Sequence, residues 1–217
     1  MTGYTTLLFD LDGTLTDSTE GILKCLVNAI KQMGFEVPED RNKFLGPPIR
    51  QSFAEFCGMN GKQINEAVKI FRDRYSTVGL FENRVYDGIP EMLERLKSGG
   101  KRLMIATSKP QVYAVRIADR FGLSQFFEFV GGAELDGSRD YKDEVIEYVL
   151  AQNGITDRSK VLMIGDRRQD VLGAHKTGII CMGILWGYGT AEELTEAGAD
   201  FIAETPQKAA EAILLNS

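Results

Sequence analysis

Leu7-Leu8-Phe9-Asp10-Leu11-Asp12-Gly13-Thr14-Leu15 is an apolar run that stops at two carboxylates two residues apart, followed by a glycine. The glycine lets the backbone turn sharply. An unbroken apolar run of this length reads as a strand buried on both faces, the pattern of a parallel sheet. In an open α/β sheet ligands bind outside the carboxyl ends of the strands, so Asp10 falls where chemistry is expected. The same residues also fit a local turn whose aspartates bond nearby N–H groups. A calcium loop fits less well, because its glycine belongs at the sixth position and no strand should precede it.

Outward from this run, five further apolar stretches read as strands: residues 103–106 before Thr107, 127–130, 161–164 before Gly165-Asp166, 179–185 and 201–202. Helical spacing separates most of them, in Val112, Val115, Ala118 and Phe121, in Val145, Ile146, Val149 and Leu150, and in the closing stretch 206–215. Alternating strand and helix signals predict an α/β fold, a Rossmann-like parallel sheet with helices on both faces. Residues 16–83 break the rhythm. There Ile22, Leu26, Ala29 and Met33 line one helical face, and Ile49, Phe53 and Phe56 a second. Ile64, Val68, Phe71, Tyr75 and Val78 line a third, and Gly34, Pro38, Gly46-Pro47-Pro48 and Gly58 punctuate the series. The expected organisation is a core of residues 1–15 and 84–217 with an α-helical cap, residues 16–83, inserted after the first strand.

The 217 residues are 43% hydrophobic and 26% charged, an ordinary globular composition, with a formal net charge of −6. That acidic balance argues against a nucleic-acid polymer or an anionic membrane as partner. No stretch approaches a transmembrane length, and the start MTGYTTLLFDLDGTL lacks the basic region of a signal peptide. Cys25, Cys57 and Cys181 form no C-x-x-C pair, which with the missing signal predicts a reducing, cytoplasmic setting. A single histidine, His175, in a helical run excludes a His-rich zinc site and argues against a Ser-His-Asp triad. The Gly132-to-Gly137 spacing is no P-loop, since Ser138-Arg139 stands where Lys-Ser/Thr is required.

Three more polar groups end strands or begin helices: Thr107-Ser108, Lys142, and Asp166 with Asp170 in Gly165-Asp166-Arg167-Arg168-Gln169-Asp170. Each has an ordinary reading alone, Thr107 as a turn residue, Lys142 as a solvated helix-start lysine, Asp166 as an N-cap. Together they place carboxylates, a hydroxyl and a lysine at one edge of one sheet. That set matches phosphoryl transfer through an aspartate. A carboxylate attacks phosphorus, Mg²⁺ on hard oxygen ligands offsets the anionic charge, and a lysine and a hydroxyl hold the other phosphate oxygens. A nearby second carboxylate moves the proton.

The motifs resemble those of the haloacid dehalogenase-like hydrolases, in particular phosphatases with a helical cap. DLDGT (10–14) is similar to the first family motif, IATS ending at Thr107-Ser108 to the second, Lys142 to the third, and GDRRQD (165–170) to the fourth. The resemblance implies Asp10 as nucleophile and Asp12 as general acid/base. It implies Thr107, Ser108 and Lys142 as phosphate-binding groups. It further implies a Mg²⁺ ion held by the Asp10 side chain, the Asp12 main-chain carbonyl and Asp166, with Asp170 orienting Lys142 or a bound water. Asp12 and Thr14 favour phosphate esters over dehalogenation, and a P-type ATPase would carry threonine at position 12. LTDSTEGI, FLGPPIRQSF, SRDYKDEVI and ILWGYGTAEEL carry a closer resemblance to the 5′-nucleotidase-like and phosphoglycolate-phosphatase-like branch.

The expected activity is therefore Mg²⁺-dependent hydrolysis of a small phosphorylated metabolite through an aspartyl-phosphate, by a monomer or a dimer. A β-phosphoglucomutase-like mutase, or a non-catalytic binder on the same scaffold, is the alternative. Arg50, after Pro47-Pro48, is the cap's candidate contact to the rest of the substrate, its other reading being a surface arginine. Trp186-Gly187-Tyr188-Gly189 reads first as strand-end packing and second as a loop beside the site.

Overall fold

The computed structural model describes residues 3–215. Six strands form one parallel sheet: β1 (Thr6–Phe9), β4 (Arg102–Pro110), β5 (Phe129–Ala133), β6 (Val161–Gly165), β7 (Ile180–Ile184) and β8 (Phe201–Ala203). Their order across the sheet is β5-β4-β1-β6-β7-β8. From β1 the chain moves outward on one side through β4 and β5, then returns to the other side of β1 for β6, β7 and β8. The direction of winding therefore reverses between β1 and β6, the place where such sheets open a crevice at their carboxyl ends. A separate two-stranded sheet, β2 (Thr16–Asp17) with β3 (Arg84–Val85), joins the two points where the inserted segment leaves and re-enters.

Strand alternation explains the two buried faces. Leu8, Met104, Val161, Met163 and Cys181 pack with Val145, Ile146, Val149 and Leu150 of α6 (Lys142–Gln152) and with Val171 and Ala174 of α7 (Arg168–Lys176). Leu7, Phe9, Leu103, Ile105, Leu162 and Ile164 point the other way and are buried as well, so both faces are covered. The remaining core helices are α4 (Ile89–Ser98), α5 (Gln111–Arg120), α8 (Ala191–Glu196) and α9 (Pro206–Leu215), with α4 packed on α9.

The chain divides into two compact units, 1–16 with 85–217, and 17–84. The second unit holds α1 (Thr19–Gln32), α2 (Ile49–Cys57) and α3 (Gly61–Tyr75). Leu26, Ala29, Phe53, Val68, Phe71 and Tyr75 are buried there, as their spacing predicts. Asn60 caps α3 by accepting from the N–H groups of Lys62 and Gln63, while the Gln63 side chain accepts from the Asn60 N–H.

Three local expectations are corrected. Ala118 is buried as expected, but Val112 and Val115 are exposed, and α5 buries Tyr113, Ala114 and Ile117 in their place. Val78 lies beyond α3 and is half exposed. The strand expected at 127–130 runs at 129–133 and includes Gly131 and Gly132. Glycine is a poor strand former, but a Cβ on Gly131 would stand 2.3 Å from Val149 Cγ2, so the helix overhead demands it.

Candidate active site

β1 and β6 run side by side in register, Phe9 beside Ile164, and the Asp10 N–H donates to the Ile164 carbonyl at 2.9 Å. Asp10 and Asp166 thus leave adjacent strands at the winding reversal. After Asp10 the chain folds back, with the N–H groups of Thr14, Leu15 and Thr16 all donating to the Leu11 carbonyl. Gly13 takes φ +83° in this turn, and a Cβ there would stand 2.3 Å from Asp166 Oδ2. Glycine is required twice over, by its backbone angle and by the carboxylate above it.

Asp166 is fully buried and both its oxygens are held. The Thr14 hydroxyl donates to Oδ1 at 3.0 Å and the Tyr188 N–H to Oδ2 at 2.8 Å. The Trp186 indole N–H donates to the Thr14 carbonyl at 2.9 Å. The loop 186–189 is therefore part of the site, which corrects the packing assignment. The paired glycines were the available signal, because a Cβ on Gly187 would stand 2.2 Å from the Gly13 carbonyl oxygen.

Lys142 begins α6, the helix end where a positive charge is least favoured. Asp143 and Glu144 in the same turn offset this, and Glu144 Oε2 accepts from the Asp140 and Tyr141 N–H groups. The Lys142 ammonium is buried, 2.9 Å from Asp10 Oδ1 and 2.8 Å from Asp170 Oδ1, and donates to the Ala106 carbonyl at 3.1 Å. Burial works against its charge, but Asp10 and Asp170 outweigh it and push the lysine pKa up. Asp170 is held in turn by the Arg167 N–H at 3.0 Å. Burial pushes the pKa of Asp166 upward, with the charges of Asp170 and Asp10 adding to it. Burial does the same for Asp170, against the pull of Lys142.

Asp10, Asp166 and Asp170 each offer an oxygen within 4.8 Å of the others. Three carboxylates against one lysine leave excess negative charge in a mostly buried place, which fits a hard divalent cation such as Mg²⁺. The Asp12 carboxylate is separate from this cluster. Its Oδ2 lies 2.5 Å from the ammonium of Lys109, a buried lysine that sequence reasoning passed over. An isolated lysine near the end of a strand carries no pattern of its own. Thr107 is buried in β4, where the pairing with β5 shifts register, and its Oγ1 accepts from the Lys109 N–H at 3.2 Å, with Ser108 half-buried between them. Arg50 sits in the other unit, exposed on α2, where it donates to Asn65 Oδ1. His175 pairs at the surface with Asp200 at 2.9 Å, as its helical setting predicts.

Known proteins carry the same pattern. The family model described as haloacid dehalogenase-like hydrolase matches residues 7–184. A 5′-nucleotidase from Pseudomonas aeruginosa is 44% identical over 193 residues, 88% of this chain and 87% of that protein. The tyrosine-protein kinase PtkA of Mycobacterium tuberculosis is 40% identical over 189 residues, 86% of this chain and 64% of that protein. A crystal structure described as a predicted phosphatase from Clostridium acetobutylicum superposes with TM-score 0.94 at 40% identity, over 99% of this chain and 100% of that one. A match across most of the chain, with the motif residues gathered at one sheet edge, establishes the chain as a member of the haloacid dehalogenase-like hydrolase family.

Proposed function

We propose that this hydrolase is a Mg²⁺-dependent phosphatase of small phosphomonoesters, with 5′-nucleotidase-like or phosphoglycolate-phosphatase-like specificity. The supporting observation is the convergence of Asp10, Asp166 and Asp170 beyond the carboxyl ends of β1 and β6, with Lys142 between Asp10 and Asp170. The relative named a 5′-nucleotidase and others named phosphoglycolate phosphatase support the substrate class.

In this reading an Asp10 oxygen attacks phosphorus and the ester bond breaks, giving an aspartyl-phosphate on Asp10. Asp12 gives its proton to the departing ester oxygen and then takes one from the water that cleaves the acyl phosphate. Water addition releases inorganic phosphate and restores Asp10. Lys142 and Thr107, with Ser108 beside it, hold the non-reacting phosphate oxygens as charge shifts. Asp170 keeps Lys142 in place. Mg²⁺, held by Asp10, the Asp12 main-chain carbonyl and Asp166, would offset the charge on the phosphate that otherwise repels the Asp10 carboxylate. The helical unit, Arg50 included, would set the choice of leaving group.

A panel of nucleoside monophosphates, 2-phosphoglycolate, hexose phosphates, phosphotyrosine and an aryl phosphate, assayed with Mg²⁺ and with EDTA, tests the proposal. Phosphate release should need Mg²⁺ and vanish in Asp10→Asn. Turnover that survives in the Asn variant removes the covalent route. The relatives named tyrosine-protein kinase motivate a second reading, in which an acceptor hydroxyl replaces water in the second step. Label passing to a tyrosine peptide or a sugar phosphate faster than to water would select it.

A further inference from the structure

We infer that Lys109 is a positioning residue for Asp12, holding one carboxylate oxygen and so fixing the orientation from which Asp12 exchanges its proton. The Lys109 ammonium is 2.5 Å from Asp12 Oδ2, with the lysine side chain 5% exposed. Asp12 Oδ1 is buried and, among the described residues, has no hydrogen-bond partner. One oxygen is thus held by the ammonium while its twin carries no competing hydrogen bond, so the Lys109 contact fixes the orientation of a carboxylate that must exchange a proton in a fixed direction.

The backbone around Lys109 is shaped to place it. The register between β4 and β5 shifts between Thr107 and Pro110, and such irregularities re-aim side chains next to active sites. The Thr107 hydroxyl accepts from the Lys109 N–H inside this irregularity. On the neighbouring strand a Cβ at Gly132 would stand 2.5 Å from the Lys109 carbonyl oxygen, so only glycine admits the main chain here. Burying a lysine is unfavourable without a partner, and Asp12 is a partner of opposite charge. The site thereby keeps two cations on two tasks, Lys142 with Asp10 and Asp170, and Lys109 with Asp12.

The inference rests on the phosphatase reading, in which Asp12 protonates the ester oxygen. Protonation matters greatly when the leaving group is a basic alkoxide and little when it is a nitrophenolate. The test is kcat/KM, which covers formation of the phosphoenzyme, for Lys109→Met with an alkyl phosphomonoester such as glycerol phosphate and with p-nitrophenyl phosphate. The alkyl ester should lose about 100-fold and the aryl ester less than about 10-fold, within the usual range of general acid catalysis. Lys109→Arg, which can still engage a carboxylate, should recover most of the alkyl loss. Equal losses for the two esters, as from damaged folding or lost phosphate binding, overturn the role, and so does undiminished activity on both. Wild-type protein that cleaves neither ester overturns the phosphatase reading along with it, whereas active wild type with equal losses removes only the role of Lys109. Lys109→Gln replaces the Met variant if that variant does not fold.

Discussion

The Lys142 ammonium stands 2.8 Å from Asp170 Oδ1, the lysine side chain 4% exposed and the aspartate 1%. Neither charge is tolerable there alone. Asp170 also accepts the Arg167 N–H at the start of α7, so the pair joins the first turns of two neighbouring helices. Because the same ammonium reaches Asp10, the arrangement of helices and the placement of the candidate nucleophile are one problem with one solution.

Removing the lysine should therefore be expensive. Lys142→Met leaves Asp10 and Asp170 without a counter-charge and is expected to lower stability by about 3–5 kcal/mol, read by urea denaturation. The double variant Lys142→Met/Asp170→Leu should regain a large part of that loss while staying inactive. A single variant as stable as wild type would contradict this account of the buried pair.

Stability should respond to pH and metal together. Asp166 and Asp170 have raised pKa values in the folded chain, so above their ordinary value of 3.8 the folded state binds more protons than the unfolded one. Their contribution falls as pH rises through that window. Glu82, lowered chiefly by its hydrogen bond to Arg74, acts oppositely at acid pH, so the informative quantity is the melting temperature with Mg²⁺ minus that without. This difference should grow from about pH 5 to about pH 8, because a cation relieves charge only where charge is present. Asp166→Asn should flatten it and raise the metal-free melting temperature by a few degrees.

The loop over Asp166 should govern metal affinity. In Gly187→Ala the new methyl group would lie 2.2 Å from the Gly13 carbonyl oxygen and 2.4 Å from Asp166 Cβ. The loop must move, and the Tyr188 N–H moves with it, away from Asp166 Oδ2. Mg²⁺ binding by calorimetry is expected to weaken about 10–100-fold, the effect usual for groups that orient a metal ligand. Unchanged affinity would show that the Thr14 hydroxyl suffices to hold the carboxylate.

The contact between His175 and Asp200 should matter little. His175→Gln breaks only a half-exposed pair with Asp200, and its effect is expected to be about 1 kcal/mol or less, with turnover unchanged. A large loss of activity would return the histidine to the list of reacting groups.

Much of the site was legible because its members end apolar runs. Asp10 and Asp166 follow continuous buried strands, and Lys142 opens a helix whose buried face, Val145, Ile146, Val149 and Leu150, reads directly from its spacing. Other features were hidden for identifiable reasons. On α5, Val112 and Val115 fit one helical face as well as Tyr113 and Ile117 fit another, and only docking on the sheet selects between them. The glycines of β5 look like strand breakers until the Val149 side chain and the Lys109 carbonyl are found pressed against them. Lys109 carries no local periodicity, so its role had no expression in the chain order, and the 186–189 loop showed only its paired glycines, which do not say what presses against them.

What the amino-acid order alone determined was the alternation of strand and helix, the helical insertion after the first strand, and the residue types at each strand end. These depend on short-range periodicity and turn chemistry, which neighbouring residues settle among themselves. Pairing, by contrast, came with the folded chain: Thr14 with Asp166 across 152 residues, Lys142 between Asp10 and Asp170, Lys109 with Asp12, Tyr188 with Asp166. Those contacts exist because the strand order brings distant carboxyl ends into one buried crevice. There, low exposure makes each charge dependent on the particular partner the fold brings within reach.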